Sequence, residues 1–144
     1  MYFHKQIGWL TIALVGGAAL LMGLLWILYG ELVNAVFFIV LMLLTVLFYC
    51  LTVVADDEGL GVRFGIGVIG TKFRWKDIES CSPVRNKWYY GWGIRRLERG
   101  WMYNVSGLDA VEIYMKNGKI YRIGTDEPET LCNFIQERLT KPKS

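Results

Sequence analysis

Gln6-Ile-Gly-Trp-Leu-Thr-Ile-Ala-Leu-Val-Gly-Gly-Ala-Ala-Leu-Leu-Met-Gly-Leu-Leu-Trp-Ile-Leu-Tyr-Gly30 is a run of 25 residues without a formal charge. After one acid, Glu31, a second uncharged run of 24 residues extends from Leu32 to Ala55. Each exceeds the roughly 18 residues that mark a candidate membrane-spanning helix, and about 20 helical residues cross a bilayer core of about 30 Å. The sequence therefore predicts helices over about 7–29 and 33–50, joined by the short polar break at Gly30-Glu31. So short a link makes them antiparallel neighbours, a transmembrane helical hairpin over 1–50. The apolar residues from Leu20 to Leu28 carry the first run past the length of a cleavable signal, so it reads as an uncleaved anchor.

The ends of the runs refine this picture. Trp9 at one end, and Trp26 and Tyr29 at the other, suit the two membrane interfaces. Ala13, Gly16, Gly17 and Gly23 fall on one side of the first helix, where small residues permit close backbone approach. They either seat the second helix or form a homodimer seam. Neither span contains an acid or base, which weighs against a proton or ion pathway. Lys5 flanks the first run, the break carries no basic residue, and Arg63, Lys72, Arg74 and Lys76 follow the second. That bias predicts both termini on the cytoplasmic side of a multi-pass protein. Leu51-Thr-Val-Val-Ala55 has a β-branched centre and leads into Asp56-Asp57-Glu58-Gly59. It reads as a strand and turn, so almost no linker separates membrane from domain.

The remainder, 51–140, reads as one small domain, with 141–144 as a disordered tail. Removing Lys5 and Glu31 from the totals of 16 basic and 13 acidic residues leaves 15 and 12, an excess too slight for a nucleic-acid-binding face. Cys50, Cys81 and Cys132 stand far apart without CxxC or Cys/His spacing. No metal ligand set and no cofactor is expected, and the odd count fits buried, unpaired thiols in a reducing compartment.

Within the domain, Leu60, Val62 and Phe64 alternate as a half-buried strand. Gly65, Gly67 and Gly70 mark turns, because neither GxGxxG nor a P-loop is present. Asp109–Met115 alternates, and Asn117-Gly118 signals a β-hairpin. A three-residue loop, Lys116-Asn117-Gly118, places Tyr121 and Ile123 on the Val111 face and Arg122 toward water. A helix follows, with Asp126 and Glu129 as a capping box and Leu131, Phe134, Ile135 and Leu139 as its apolar stripe.

Short strands followed by one amphipathic helix match a mainly-β, pleckstrin-homology-like barrel. Gly91-Trp-Gly-Ile-Arg95, Gly100-Trp-Met-Tyr-Asn-Val-Ser-Gly107, Ala110-Val-Glu-Ile113 and Ile123-Gly-Thr-Asp-Glu-Pro-Glu-Thr-Leu131 resemble bacterial membrane-attached proteins with a pleckstrin-homology-like domain. The likeness covers about Leu51 to Leu139. It implies architecture and attachment to a bacterial cytoplasmic membrane, and no set activity.

The densest chemistry lies in Arg85–Tyr103: five basic residues, one acid and six aromatics. Trp88, Tyr89, Tyr90, Trp92, Arg95, Arg96, Arg99 and Trp101 form the candidate membrane or partner surface. Aromatic rings and Lys or Arg suit anionic headgroups, and Trp, Tyr and Arg also dominate interface hot spots. The alternative is structural, with the rings filling the barrel and the arginines covering its rim. No catalytic constellation is recognisable. His4 stands before a span, away from Cys81 or Ser82, and Asp56-Asp57-Glu58 reads as a solvated turn. The expectation is a non-enzymatic adaptor or accessory subunit with membrane lipids and an unidentified protein as partners. Peripheral binding to anionic lipid is the alternative, and a small membrane enzyme the remotest.

Overall fold

The computed structural model of the chain describes residues 1–141; of the tail expected at 141–144, residues 142–144 lie outside the described residues. The chain opens with a strand, β1 (Tyr2–Ile7), and then forms a helix from Trp9 to Tyr29, π-helical over Ile12–Gly16. Gly30, at φ 68°, closes that helix in the left-handed conformation, its N–H bonding to the Trp26 carbonyl. Glycine takes this position without a Cβ penalty. A second helix, Leu32–Phe48, packs beside the first, with the Gly23 backbone against the Phe38 ring.

Eight strands and a C-terminal helix follow: β2 (Cys50–Ala55), β3 (Gly59–Phe64), β4 (Ile69–Arg74), β5 (Ile78–Arg85), β6 (Gly93–Leu97), β7 (Gly100–Asn104), β8 (Asp109–Met115), β9 (Ile120–Gly124) and the helix Pro128–Thr140. They build two sheets, β1-β2-β3-β4 and β5-β8-β9-β7-β6. All pairs are antiparallel except β7 with β9.

These observations overturn the expected two-helix transmembrane hairpin followed by a single pleckstrin-homology-like barrel. One helix, Trp9–Tyr29 with 21 residues, is long and apolar enough to cross a membrane, and Leu32–Phe48 is shorter, with 17. The strands form two sheets without a ladder joining them among the described residues. Tyr2–Ile7, expected within the helical segment, is an edge strand of the first sheet. Its pattern conceals it: the inward positions are Tyr2, His4 and Gln6, while Phe3 and Ile7 are exposed.

The core lies between the sheets. Leu51, Val53, Leu60, Val62, Phe64 and Phe73 come from the first, and Ile78, Val111, Ile113 and Ile123 from the second. Leu131 and Ile135 of the C-terminal helix complete it. Each such aliphatic side chain contributes about 1.5–3 kcal/mol when fully buried. Phe73 meets Tyr121 with ring centroids 4.8 Å apart, tying the sheets together. The β8–β9 loop has three residues: the Met115 N–H bonds to the Lys119 carbonyl, Gly118 has φ 84°, and Val111 pairs with Ile123.

Two local expectations fail. The helix begins at Pro128 with no side-chain cap, because Asp126 is engaged by His4 instead. Cys81 and Cys132, expected as unpaired thiols, are joined in a disulfide across 51 residues, with Cα atoms 5.9 Å apart. The helix packs on β5, and that brings the two residues together. Cys50 remains a free, buried thiol.

Candidate functional site

Successive residues of a strand face opposite sides of its sheet, so register decides which candidate residues share a surface. Arg95, Met102, Arg122 and Glu112 are successive partners across β6, β7, β9 and β8 and share the face away from the core. Arg96 and Trp101 pair directly and share the other face with Tyr121 and Ile113. Arg99 lies in the β6–β7 turn at the far end, its carbonyl accepting from the Ile120 N–H. The expected eight-residue surface is therefore divided: Trp88, Tyr89, Tyr90, Trp92 and Arg95 gather at one place, while Arg96, Arg99 and Trp101 lie elsewhere.

The gathering place is the β5–β6 connection, residues 86–92, which folds over the outer face of the second sheet. Asn86 N–H donates to the Leu108 carbonyl (2.6 Å), and Trp92 Nε1 donates to the Gly107 carbonyl (3.2 Å). Both bonds fasten the connection to the neighbouring loop, 105–108. That loop is fastened in turn to the base of the first helix. Thr11 Oγ1 donates to the Val105 carbonyl (3.0 Å), and Gln6 Nε2 to the Ser106 carbonyl (3.3 Å). The aromatic turn thus stands at the end of the domain from which the helices emerge. Gly91, at φ 68°, reverses the chain there, with Arg95 against it.

At the tip, Trp88 is 76% exposed and Tyr89 59%. Their rings meet edge to face, as do those of Tyr89 and Tyr90, and Lys87 Nζ lies 5.6 Å from the Tyr89 centroid. Tyr90 faces inward over the Arg122 guanidinium, 5.8 Å from ring centroid to Cζ. Beneath this lid, Arg122 Nε donates to Glu112 Oε2 (2.5 Å) and Nη1 to Asn86 Oδ1 (3.3 Å), while Tyr114 OH donates to Glu112 Oε1 (2.5 Å). Arg122, expected to face water, instead holds the lid to the sheet. The signal was present: the three-residue loop itself sets Glu112 opposite Arg122.

Of the four small helix residues, Gly23 alone seats the second helix. A Cβ at Gly16 or Gly17 would meet nothing within 4 Å, and Ala13 is exposed. Ala19 and Ala35 are the other buried small residues of the helix pair.

Two further polar groupings are built. Asp56 closes its turn through Oδ1, which accepts from the N–H groups of Glu58 (2.8 Å) and Gly59 (2.9 Å). Lys72 bonds to Asp56 Oδ2 and, with those two N–H groups, holds the Asp56 carboxyl below the usual carboxylate range. At the other grouping, His4 Nε2 is 2.5 Å from Asp126 Oδ1 and Nδ1 is 3.1 Å from Glu127 Oε1. Tyr2 OH donates to Glu127 Oε1 (2.5 Å), and burial with that bond pushes the Tyr2 hydroxyl well above its ordinary range. A carboxylate thus lies at each imidazole nitrogen, hydrogen-bonded at Nε2 and in close contact at Nδ1. The cluster fastens β1 to the start of the C-terminal helix, a role that sequence reading missed because 122 residues separate His4 from Asp126. Among the described residues, no three His, Cys, Asp or Glu side chains converge to hold a metal ion. Comparison with protein-family models, curated proteins and solved structures finds no match to this chain.

Proposed function

We propose that the chain is a membrane-anchored, non-enzymatic module that acts as an adaptor or accessory subunit at the lipid surface. The observation that carries this is the pairing of β1 with β2. The helix pair is spliced between two hydrogen-bonded strands, and the Gly8 N–H donates to the Tyr49 carbonyl at 2.7 Å. No linker separates the helices from the sheet, so the domain keeps one orientation relative to whatever holds them. The first helix is about 31 Å long, close to a bilayer core of about 30 Å, and the shorter second helix packs against it. Their outward side chains, among them Leu20, Leu24, Ile27, Ile39 and Leu43, are apolar and exposed. Trp9 is exposed at the end nearest the domain, where Lys5 covers the Tyr49 ring, an arrangement suited to headgroup depth.

A second reading, docking of the aromatic turn on anionic headgroups, is favoured by the exposure of Trp88 and Tyr89 at the helix end of the domain. Two features oppose each other on which side of a bacterial cytoplasmic membrane the domain lies. The basic flanks favour the cytoplasmic face, and the Cys81–Cys132 bond favours an oxidising compartment.

Replacing Trp88 with a photoreactive phenylalanine in the full chain, within native membranes, separates the readings. A discrete protein adduct that is lost on Tyr89→Ala is expected for an adaptor. A phospholipid adduct supports the second reading, and reaction with neither removes both.

A further inference from the structure

We propose that the β3–β4 turn, Gly65–Val68, is a second lipid-contacting element that inserts its tip among the acyl chains beside the helix pair. This deepens the membrane reading and rests on it. Ile66 is 64% exposed and Val68 72%, and only Gly67 stands between them. Turns facing water are dominated by Gly, Pro, Asn, Asp and Ser; Gly-Ile-Gly-Val offers no polar side chain.

The position of the turn gives this exposure its meaning. The Gly65 N–H donates to the Cys50 carbonyl (2.9 Å), and its backbone lies against the carbonyls of Val46 and Leu47. Gly65 has φ 50°, and a Cβ there would collide with those carbonyls, so glycine is what permits the approach. The Phe48 and Phe64 rings meet at 5.3 Å and seal the joint from the core side. The tip is thus held beside the last turn of the second helix, where Leu44 and Val46 are also exposed. A medium that covers that turn of helix also covers Ile66 and Val68. Arg63 is exposed next to the tip, with its side chain against Gly70. An arginine at that level lays its stem on apolar surface while its head reaches phosphate.

The occupant follows from continuity. Exposed Leu44 and Val46 of the second helix and exposed Ile66 and Val68 of the turn lie side by side, so one solvent serves both, and beside a membrane-spanning first helix that solvent is lipid. A second copy of the chain or another protein would instead cover the tip with side chains.

The test uses the full chain in phosphatidylcholine–phosphatidylglycerol nanodiscs, one copy per disc, in a Cys50→Ala background with the Cys81–Cys132 bond intact. An environment-sensitive fluorophore is placed at Ile66→Cys, Val68→Cys and, as reference, Leu43→Cys. The expected result is blue-shifted emission at 66 and 68, quenched by lipids carrying a shallow nitroxide as strongly as Leu43 is quenched by a deeper one. Water-like emission at 66 and 68 with Leu43 quenched overturns the proposal alone. Blue-shifted emission that lipid nitroxides leave unquenched also overturns it, in favour of a protein occupant. Water-like emission at all three positions overturns the membrane reading, and the proposal with it.

Discussion

Loss of the Cys81–Cys132 bond is expected to lower the unfolding free energy of the domain by about 4 kcal/mol, from the entropy returned to the unfolded chain when a loop of this length is released. The bond spans 51 residues and ties β5 to the C-terminal helix. That helix supplies Leu131 and Ile135 to the core, so its docking and the bond support each other. Both sulfurs are enclosed, which makes reduction slow until the domain opens. Thermal unfolding of the detergent-solubilised chain, with and without reductant, should show a large drop in midpoint, matched by a Cys81→Ala/Cys132→Ala variant. Unchanged midpoints, together with complete alkylation of both thiols when membranes are first broken, would show that the bond does not form in the cell. The same alkylation decides between the basic flanks and the disulfide as guides to which side the domain occupies.

Glu112→Ala is expected to cost on the order of 3 kcal/mol and to release the lid over the outer face of the second sheet. Glu112 is 8% exposed and takes bonds from both Arg122 and Tyr114. Its removal leaves a largely enclosed guanidinium with Asn86 as its remaining hydrogen-bond partner, and an uncompensated buried charge is far costlier than a missing pair. Replacing both members with apolar residues, Glu112→Leu with Arg122→Met, should therefore recover much of the loss. Denaturant unfolding measures the energies, and proteolysis between Lys87 and Arg95 reports the lid. A loss below about 1 kcal/mol for Glu112→Ala, with cleavage unchanged, would show that the pair neither stabilises the sheet nor fastens the turn.

The parts of this chain that were legible share a local cause. Asp109–Met115 alternates because one face of β8 meets the core, and Gly118 fixes the loop because its φ of 84° suits glycine. Leu131 and Ile135 recur at helical spacing because the helix has one buried side. The parts that were hidden depend on distant partners. β1 escaped because Gln6, His4 and Tyr2 face inward, which reverses the usual sign of the pattern; His4 is satisfied by Asp126 and Glu127. The strand order of the second sheet depends on β7 joining β9 in parallel, an order that local alternation does not encode. The aromatic–basic segment was legible as composition but not as a surface. Between Arg95 and Arg96 a single residue step changes the face of the sheet, and the β6–β7 turn carries Arg99 to the opposite end.

The central proposal is that the first helix crosses a bilayer, with the shorter second helix packed beside it, while β1 and β2 hold the domain at the surface. Spin labels at Leu20→Cys and Ile39→Cys, both on exposed outer faces near the helix centres, test it most directly in reconstituted vesicles. The account predicts high accessibility to oxygen and near-exclusion of a water-soluble nickel chelate at both positions, with the reverse at Trp88→Cys. Free access of the nickel chelate to Leu20 and Ile39 would contradict it.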